Sequence, residues 1–459
     1  MSRRKKTRLQ SVTEVPQLRP DAAAADIHPE VIYVAIDPRK DAQPVRKFGT
    51  VTVELNRIAD WLESCGVRTV AMESTGVYWI SLFQILEARG FEVFLVNARH
   101  FKNVPGRKTD VCDAAWLQYL HAVGLVQGSF RPAQEVCAFR TLMRHRSGMV
   151  ESSSEHIQHM QKSLDQMNVQ IHRVLSDITG VSGLAMVDAI LAGERDGHRL
   201  AELRHASVRA SEEKIVEALE GDYRPEHLFT LKQSLASYRH YQKLIGECDQ
   251  ELRVTLEKME SRAGEEEPPE ARKTMRTLGD EELRQEFCRI LGTDLTAIPG
   301  MNIRTVGVYV AEVGGDLSRF RSAGAFSNWV GLCPGNNITG GKTISGKTRK
   351  VNSRLAAALR MAAESLCRDK SYLGQFYRRM KAHLDGGAPA AITAAAHKLA
   401  RIIYTLVTRG IEYDESVFAK FEQRNEEKQR QRFIQQARKW GYALVPINNP
   451  GPAAEAVVS

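Results

Sequence analysis

The first third of the chain alternates short apolar runs with stretches of helical spacing. Four runs have the β-branched or alternating composition of strands, and they are VIYVAID (31–37), FGTVTVE (48–54), VRTVAME (67–73) and EVFLVN (92–97). Apolar residues recur at helical intervals over 55–65 and 76–89. This order predicts an α/β domain over residues 29–134, with functional side chains at strand ends. The polar, basic residues 1–28 are predicted to form a disordered arm.

Between residues 135 and 284 the apolar positions take the spacing of long helices. There are two stripes, the first made of Ile157, Met160, Leu164, Met167, Ile171, Val174 and Ile178, and the second of Leu228, Leu231, Leu235, Tyr238, Tyr241, Ile245, Cys248, Leu252, Leu256 and Met259. The first alternates steps of three and four, which predicts an unbroken helix of about 32 Å. The stripes indicate a helical hairpin, a dimerising coiled coil or ordinary helix packing. They do not separate pairing within one chain from pairing between chains.

Two further segments complete the chain. Residues 285–420 combine helical spacing with glycine turns and are predicted to form a mainly helical domain. Residues 421–459 are predicted to form a charged helix followed by a disordered tail. The predicted fold class is therefore α/β followed by α.

Composition and charge narrow the class of protein. The chain has 459 residues, of which 43% are hydrophobic, and its formal net charge of +9 favours a polyanionic partner. No apolar stretch of about 18 residues predicts a membrane span, and the basic start lacks the apolar segment of a secretory signal. The seven cysteines form no CxxC pair, which favours reduced thiols of a cytoplasmic protein over a zinc site or disulfides.

Four acidic residues stand out by their positions. Asp37 and Glu73 end predicted strands, whereas Asp110 and Asp113 lie three apart at the start of a predicted helix that Thr109 would cap. Oxygen ligands without histidine or thiolate suit Mg²⁺ or Mn²⁺, and two such ions could stabilise the entering and leaving oxygens of a phosphoryl transfer. The alternative is that each acid is only a turn residue or a helix cap.

A second centre, without carboxylates, lies farther along the chain. Pro299 and Gly300 separate two helical segments in LTAIPGMNIRTVGVYVAEVGG, and such a helix-hairpin-helix-like turn either holds phosphate or is a plain turn. Beyond it, Thr339 and Ser345 offer hydroxyls in a loop with several basic residues and no acid. The basic residues are Lys342, Lys347, Arg349, Lys350, Arg354 and Arg360. This loop contains either a hydroxyl nucleophile or a surface that only binds nucleic acid.

Several stretches between residues 30 and 420 together carry a resemblance to a known family. They are YVAID, AMESTGVYW, GRKTDVCDAAWL, AIPGMNIRTVGVYVAEVGG, WVGLCPGNNITGGK and HKLARIIYTLVTRGIEYD. Through them the chain resembles bacterial insertion-sequence transposases of family 110, subgroup 1111, which are bridge-RNA-guided DEDD recombinases. The resemblance implies a RuvC-like (RNase H-like) N-terminal domain, a coiled-coil dimerisation segment and a C-terminal transposase domain.

The resemblance also implies the site residues and the partners. Asp37, Glu73, Asp110 and Asp113 resemble the metal-binding tetrad of the family. The implied partners are donor and target DNA and a structured guide RNA, on which the protein would assemble as a tetramer. Base pairing with that RNA would then supply most of the sequence choice.

The nucleophile is the one departure from the family pattern. The family's serine falls on Thr339, whose extra methyl group restricts the side-chain torsion and crowds the attack. Either Thr339 attacks, or Ser345 replaces it, or this copy is weakened or inactive.

Two other functions are compatible with the same residues. A junction-resolving nuclease would use the four acids to activate water and would form no covalent intermediate. A nucleic-acid-binding remnant would bind with steep salt dependence and would transfer no strands. The basic residues Arg3, Arg4, Lys5 and Lys6 either contact RNA or are solvated.

Overall fold

The chain divides after Arg131 into an N-terminal and a C-terminal unit. The computed structural model describes residues 16–74, 76–96, 110–263, 278–335, 337–340, 342–384 and 386–443. The basic residues of the predicted arm, at positions 3 to 6, lie outside these ranges, so the question of an RNA contact there stays open.

The N-terminal unit is a mixed five-stranded sheet with helices on both faces. Its strands are β1 (Ala22–Ile27), β2 (Ile32–Ala35), β3 (Val45–Phe48), β4 (Thr69–Glu73) and β5 (Glu92–Val96), in the spatial order β3-β2-β1-β4-β5. The helices are α1 (Thr52–Ser64), α2 (Trp79–Ala88) and α3 (Asp110–Ala122). β1, β2 and β3 form an antiparallel meander, whereas β1, β4 and β5 are parallel. The predicted α/β class of this part is confirmed.

The central strand β1 lies within residues 1–28, which the sequence predicts to be a disordered arm, and this prediction is wrong for residues 22–27. Its four alanines are almost fully buried, because helices cover the sheet on both sides. Ala23 and Ala25 pack into the core beneath α1 and α2, and Ala24 packs with Leu117 of α3. Alanine has low strand propensity, so only tertiary packing reveals this strand.

The predicted strand at 48–54 is also wrong. The strand in this region is β3, which ends at Phe48, and α1 begins at Thr52. Val51 and Val53 produced the alternating pattern, but they are 65% and 62% exposed at the start of the helix. Alternation alone therefore did not report burial here.

A long antiparallel helical hairpin opens the C-terminal unit. It consists of α4 (Gln134–Gln166) and α9 (Pro225–Glu257), each about 50 Å long at 1.5 Å per residue. Side chains cross between them at three levels: Arg146 pairs with Asp249, Gln242 donates to Ser153 at 3.0 Å, and Ser163 lies 3.0 Å from Thr230. The two apolar stripes thus meet within one chain, and dimerisation through them stays a prediction.

The unbroken helix predicted over 157–178 is wrong. α4 ends at Gln166, and Asn168 has a left-handed backbone (φ 56°) that turns the chain. Four short helices then form the tip of the hairpin, namely α5 (Ile171–Val174), α6 (Val181–Leu191), α7 (Gly197–Glu202) and α8 (Glu212–Leu219). The stripe residues on both sides of the turn share one buried core, because regular spacing records burial rather than backbone continuity.

The remaining part of the C-terminal unit is mainly helical, as predicted. Its elements are α10 (Leu278–Leu291), α11 (Ile303–Glu312), α12 (Ala323–Val330), β6 (Asn337–Thr339), β7 (Lys342–Ser345), α13 (Arg354–Ser365), α14 (Tyr372–His383), α15 (Gly387–Arg409) and α16 (Ala419–Lys439). The guanidinium of Arg140 on α4 donates to the carbonyls of Ala311 and Glu312, which end α11. These hydrogen bonds join the long hairpin to the helical part of the same unit and satisfy carbonyls at the end of α11.

The helix α15 is the centre of this helical part. It packs against α12, α13 and α14, and it buries residues such as Ala396, Leu399 and Ile403. Within the described residues it is the helix that is long and apolar enough to cross a membrane by length and composition. Its buried face indicates a core helix of this unit.

The buried His121 of α3 predicts a specific pH dependence of stability. Its Nε2 lies 2.9 Å from the hydroxyl of Thr69 on β4, and burial, aided by the charge of Arg19, lowers its pKa to about 4. An unfolded histidine has a pKa of about 6.5, so the unfolded chain binds the extra proton as the pH falls from 6.5 towards 4. We expect the opening free energy of β4 and α3 to drop by about 2 kcal/mol between pH 7.5 and pH 5.

Hydrogen exchange of peptides from β4 and α3 measures this drop. The matched control is His121→Gln, which keeps a side-chain amide near Thr69 but does not titrate. In the variant, most of the fall in opening free energy should disappear. An equal fall in both proteins would show that His121 is not its cause.

Candidate active site

The register of two parallel strands brings Asp26 and Glu73 side by side. Ala25 of β1 pairs with Met72 of β4, so the next residues along, Asp26 and Glu73, are neighbours near the carboxyl ends of their strands. Adjacent strands lie about 4.8 Å apart. Because side chains alternate, both acids share the sheet face of Ala24, which is the face that α3 covers.

The direction of α3 carries its first turn towards these two acids. Near the carboxyl end of α3, Gln118 donates to the carbonyl of Ala22 at 3.1 Å and His121 contacts Thr69. Both partners lie at the amino ends of β1 and β4. The amino end of α3 therefore lies towards the carboxyl ends of the same strands.

Asp113 lies in this first part of α3. It precedes the sheet-facing Leu117 by four residues, which is one helical turn on the same face, and its Oδ1 atom is buried. Asp110 is the first residue of α3, and its side chain lies outside the described residues. The fold thus collects Asp26, Glu73 and Asp113 at one edge of the sheet, with the Asp110 backbone at the same helix end.

Asp37 lies at the opposite end of the sheet, which contradicts its assignment to the acid group. β2 runs antiparallel to β1 with Ala35 opposite Ala24, so Asp37 follows the strand to the level of Ala22. Four strand residues, about 13 Å, separate that level from Asp26. No pairing of β1 with β2 in this register brings Asp37 to Glu73.

Asp37 instead stabilises its own turn. It accepts hydrogen bonds from the backbone N–H of Arg39 at 2.9 Å and from the guanidinium Nη2 at 2.6 Å. The hydrogen bond from the Arg39 side chain is the largest cause that lowers the pKa of Asp37 to about 2. A buried carboxylate held by its own neighbour is a turn residue, which was the alternative interpretation of this acid.

Asp26 is the acid at this edge of the sheet that the sequence pattern did not predict. The signal was present, because Asp26 directly follows the apolar run AAAA, as Asp37 follows VIYVAI and Glu73 follows VRTVAM. The side chain is 13% exposed, and its Oδ2 lies 3.2 Å from Nε2 of His28. The poor strand propensity of alanine hid the strand and therefore the acid.

The donor chemistry of this edge fits a hard divalent cation. Carboxylate oxygens are the ligands that Mg²⁺ and Mn²⁺ prefer, and the amino end of α3 tolerates their negative charge. Among the described side chains, no group of three or more histidine, cysteine, aspartate or glutamate residues is already gathered closely enough for one ion. Metal binding would therefore need the side chains of Asp26, Glu73 or Asp113 to change rotamer. It would also need the side chain of Asp110 as a ligand.

The hydroxyl candidate Thr339 lies at the tip of a β-hairpin. Thr339 ends β6 and pairs with Lys342, the first residue of β7, and Gly340 in the turn between them has a left-handed backbone (φ 58°). The Thr339 side chain is exposed, so its hydroxyl is accessible to a substrate strand. Ser345 ends β7, but its side chain and that of Lys342 lie outside the described residues.

The basic residues predicted to bind nucleic acid follow this hairpin. The side chains of Lys347, Arg349, Lys350 and Arg354 are exposed, and Arg349 donates to the carbonyl of Asn328 at 3.1 Å. Their exposure leaves them able to contact phosphate, and nucleic-acid binding by them stays a prediction.

Gly300 has a structural reason to be glycine. Its φ is +85°, and a side chain there would lie 2.6 Å from the carbonyl of Ala362 on α13. Pro299 beside it is buried. The turn thus permits close packing on α13, and the phosphate contact predicted for Gly300 has no support from this packing.

Comparison with known families gives the class of protein. Residues 25–169 match the model DEDD_Tnp_IS110, which describes a transposase. This match includes Asp26, Asp37, Glu73, Asp110 and Asp113. Residues 292–378, which include Thr339, match the transposase IS116/IS110/IS902 family. The two matches support a DNA transposase of the IS110 family. No curated protein matches the chain.

The opposite positions of Asp26 and Asp37 predict opposite results on substitution. We expect Asp26→Asn to weaken Mg²⁺ or Mn²⁺ binding by about tenfold or more, because it removes a charged oxygen ligand. Asp37→Asn is the matched control and should leave the affinity nearly unchanged. Isothermal titration of each full-length variant with Mn²⁺ checks this. Loss of binding in Asp37→Asn with none in Asp26→Asn would overturn the assignment.

Proposed function

We propose that this protein is an insertion-sequence DNA transposase that cuts and rejoins strands with Asp26, Glu73, Asp110 and Asp113 as its acid group and a hydroxyl of the C-terminal unit as its nucleophile. The observation that carries the proposal is the register that sets Asp26 beside Glu73 over the start of α3. One family match covers the acids, and the other covers the β6–β7 hairpin with Thr339, which is called the hydroxyl hairpin. Mg²⁺ or Mn²⁺ is the cation that the four carboxylates would hold.

The bound cations would supply stabilisation of the charge that develops on the phosphate oxygens. The protein's own contribution begins with the carboxylates at the carboxyl ends of β1 and β4, beside which a scissile phosphate would bind. Thr339 offers its exposed hydroxyl at a tight turn, and the nearby Lys347, Arg349 and Lys350 supply positive charge. Attack by the hydroxyl oxygen on phosphorus would break the phosphorus–oxygen bond to one sugar and leave a phosphothreonine diester. The threonine proton would pass to a base, and the leaving sugar oxygen would take up a proton from an acid or from solvent.

Guidance and assembly extend the proposal. A structured guide RNA would pair with donor and target DNA, and dimers would join into a tetramer in the bacterial cytoplasm at the nucleoid. The net charge of +9 supports a polyanionic partner. Acids of one copy could meet the hydroxyl hairpin of another, which would couple cleavage to assembly.

The junction-resolving nuclease is the second candidate, and the threonine at position 339 favours it. A nuclease with the same acids activates water and does not need a hydroxyl at the hairpin. The remnant that binds without turnover is distinguished from both by the absence of cleavage.

Replacing the two hydroxyls separately tests the nucleophile. We expect Thr339→Ala to abolish a covalent protein–DNA adduct, because it removes the attacking oxygen, whereas Ser345→Ala should retain most of the adduct. Denaturing gels of full-length protein with a labelled donor junction and Mg²⁺ detect the adduct. Thr339→Ser is the matched control and should retain it or increase it, since serine lacks the crowding methyl group.

The outcomes assign the mechanism. Loss of the adduct in Ser345→Ala alone would move the nucleophile to Ser345. Cleavage that persists without any adduct in the wild-type protein would favour the nuclease.

The guide RNA is tested on the purified protein. We expect a single structured transcript, encoded beside the gene, to co-purify with the co-expressed protein and to be identified by sequencing. A random sample of cellular RNA would contradict RNA guidance while leaving the cleavage chemistry open.

A further inference from the structure

A half-buried lysine on α15 faces two stacked aromatic rings. The rings of Tyr372 and Phe418 stack with centroids 4.3 Å apart and planes 1° from parallel. The Nζ atom of Lys398 lies 5.8 Å from the Tyr372 centroid and 5.3 Å from the Phe418 centroid. These contacts place a half-buried ammonium group at a fixed position on the helical part of the C-terminal unit.

Two arginines add charge to the same place. Arg379 of α14 lies over the Tyr372 ring, with its Cζ 5.8 Å from the centroid. Arg401 follows Lys398 by three residues on α15, which is one turn on the same side of the helix. α14 and α15 pack against each other, so the three cations come from two facing helices.

Acidic partners do not balance these cations. Within the described parts of the chain, no carboxylate oxygen lies within 4.0 Å of a basic nitrogen of Arg379, Lys398 or Arg401. Glu415, on the segment that carries Phe418, is already used by the backbone N–H of Tyr372 at 2.5 Å. The half-buried charge of Lys398 is costly without a counter-ion, and an anion bound at the cluster would offset that cost.

The titration of the neighbouring groups agrees with this electrostatic picture. Burial lowers the pKa of Lys398, and the charges of Arg401 and Arg379 lower it further. Burial likewise lowers the pKa of the adjacent His397, with Arg401 and Lys398 acting in the same direction. Lys398 therefore feels the repulsion of both arginines.

The charge of Arg401 also acts on the segment that precedes the β6–β7 hairpin of Thr339. The charge of Arg401 acts on the thiol of Cys333, where it opposes the increase in pKa caused by burial. Cys333 precedes Thr339 by six residues in the loop before β6. Arg401 is therefore near enough to the start of the hairpin segment for its charge to act there.

We infer that Arg379, Lys398 and Arg401 form a binding site for a backbone phosphate of substrate DNA. The inference rests on the proposed DNA transposase function for the identity of the nucleic acid, and it adds a contact beyond residues 292–378, where the family match ends. The stacked rings hold the ammonium in place, while the two guanidinium groups complete a cationic site that suits one phosphate. Such a contact positions the DNA strand without reading its sequence.

The salt dependence of DNA binding tests this site. A lost phosphate contact lowers the slope of log K against log salt concentration by about 1. We expect Lys398→Gln to lower the slope by that amount for a duplex of arbitrary sequence, and Lys398→Arg to restore it. Lys232→Gln, at an exposed lysine of α9, is the matched control and should leave the slope unchanged.

A second variant guards against misfolding. Arg401 is exposed, so Arg401→Gln should fold normally and should also lower the slope by about 1. If Lys398→Gln lowers the melting temperature while both variants keep the wild-type slope, the cluster is only structural and the inference fails. A reduced slope for RNA of equal length with none for DNA would also overturn the DNA assignment.

The same measurements separate this inference from the proposed function. If the slope falls in both variants but the wild-type protein never cleaves DNA, the phosphate site is supported and the transposase function is refuted. If the wild-type protein cleaves DNA but both variants keep the wild-type slope, the transposase function is supported and the phosphate site is refuted.

Discussion

The hydrogen-bonded register between β1 and β4 is the constraint on which the candidate site depends. Side chains alternate across a strand, so a slip of one residue would move Asp26 to the face covered by α1 and α2. The alanines before Asp26 oppose such a slip. Both faces of β1 are buried, and a side chain as large as aspartate could not replace an alanine in that packing without cost.

The second constraint is the attachment of α3 to the amino ends of the same strands. Gln118, His121 and Leu117 each contact the sheet, and together they set the direction of the helix. The first turn of α3, with Asp110 and Asp113, is thereby directed to the edge where Asp26 and Glu73 lie. Packing at one end of the sheet thus determines which acids meet at the other end.

Much of this architecture follows from hydrophobic spacing, and its exceptions have physical causes. The α/β order, β4 ending in Glu73 and the two long helical segments are all visible in the pattern, because burial on one face imposes a period. β1 is not visible, since four alanines carry little apolar signal. The prediction for Asp37 is wrong because an acid at a strand end does not reveal the direction of the strand, and β2 runs antiparallel to β1. The turn at Asn168 was hidden because both sides of it share one core.

The central claim is that Asp26, and not Asp37, joins Glu73 in holding a divalent cation. Anomalous diffraction from crystals of the full-length protein soaked in Mn²⁺ tests it most directly. The account predicts a manganese peak at the carboxyl ends of β1 and β4, with oxygens of Asp26 and Glu73 about 2.1 Å from the ion. A peak bound by Asp37, or none near Asp26 and Glu73 at saturating Mn²⁺, would contradict it.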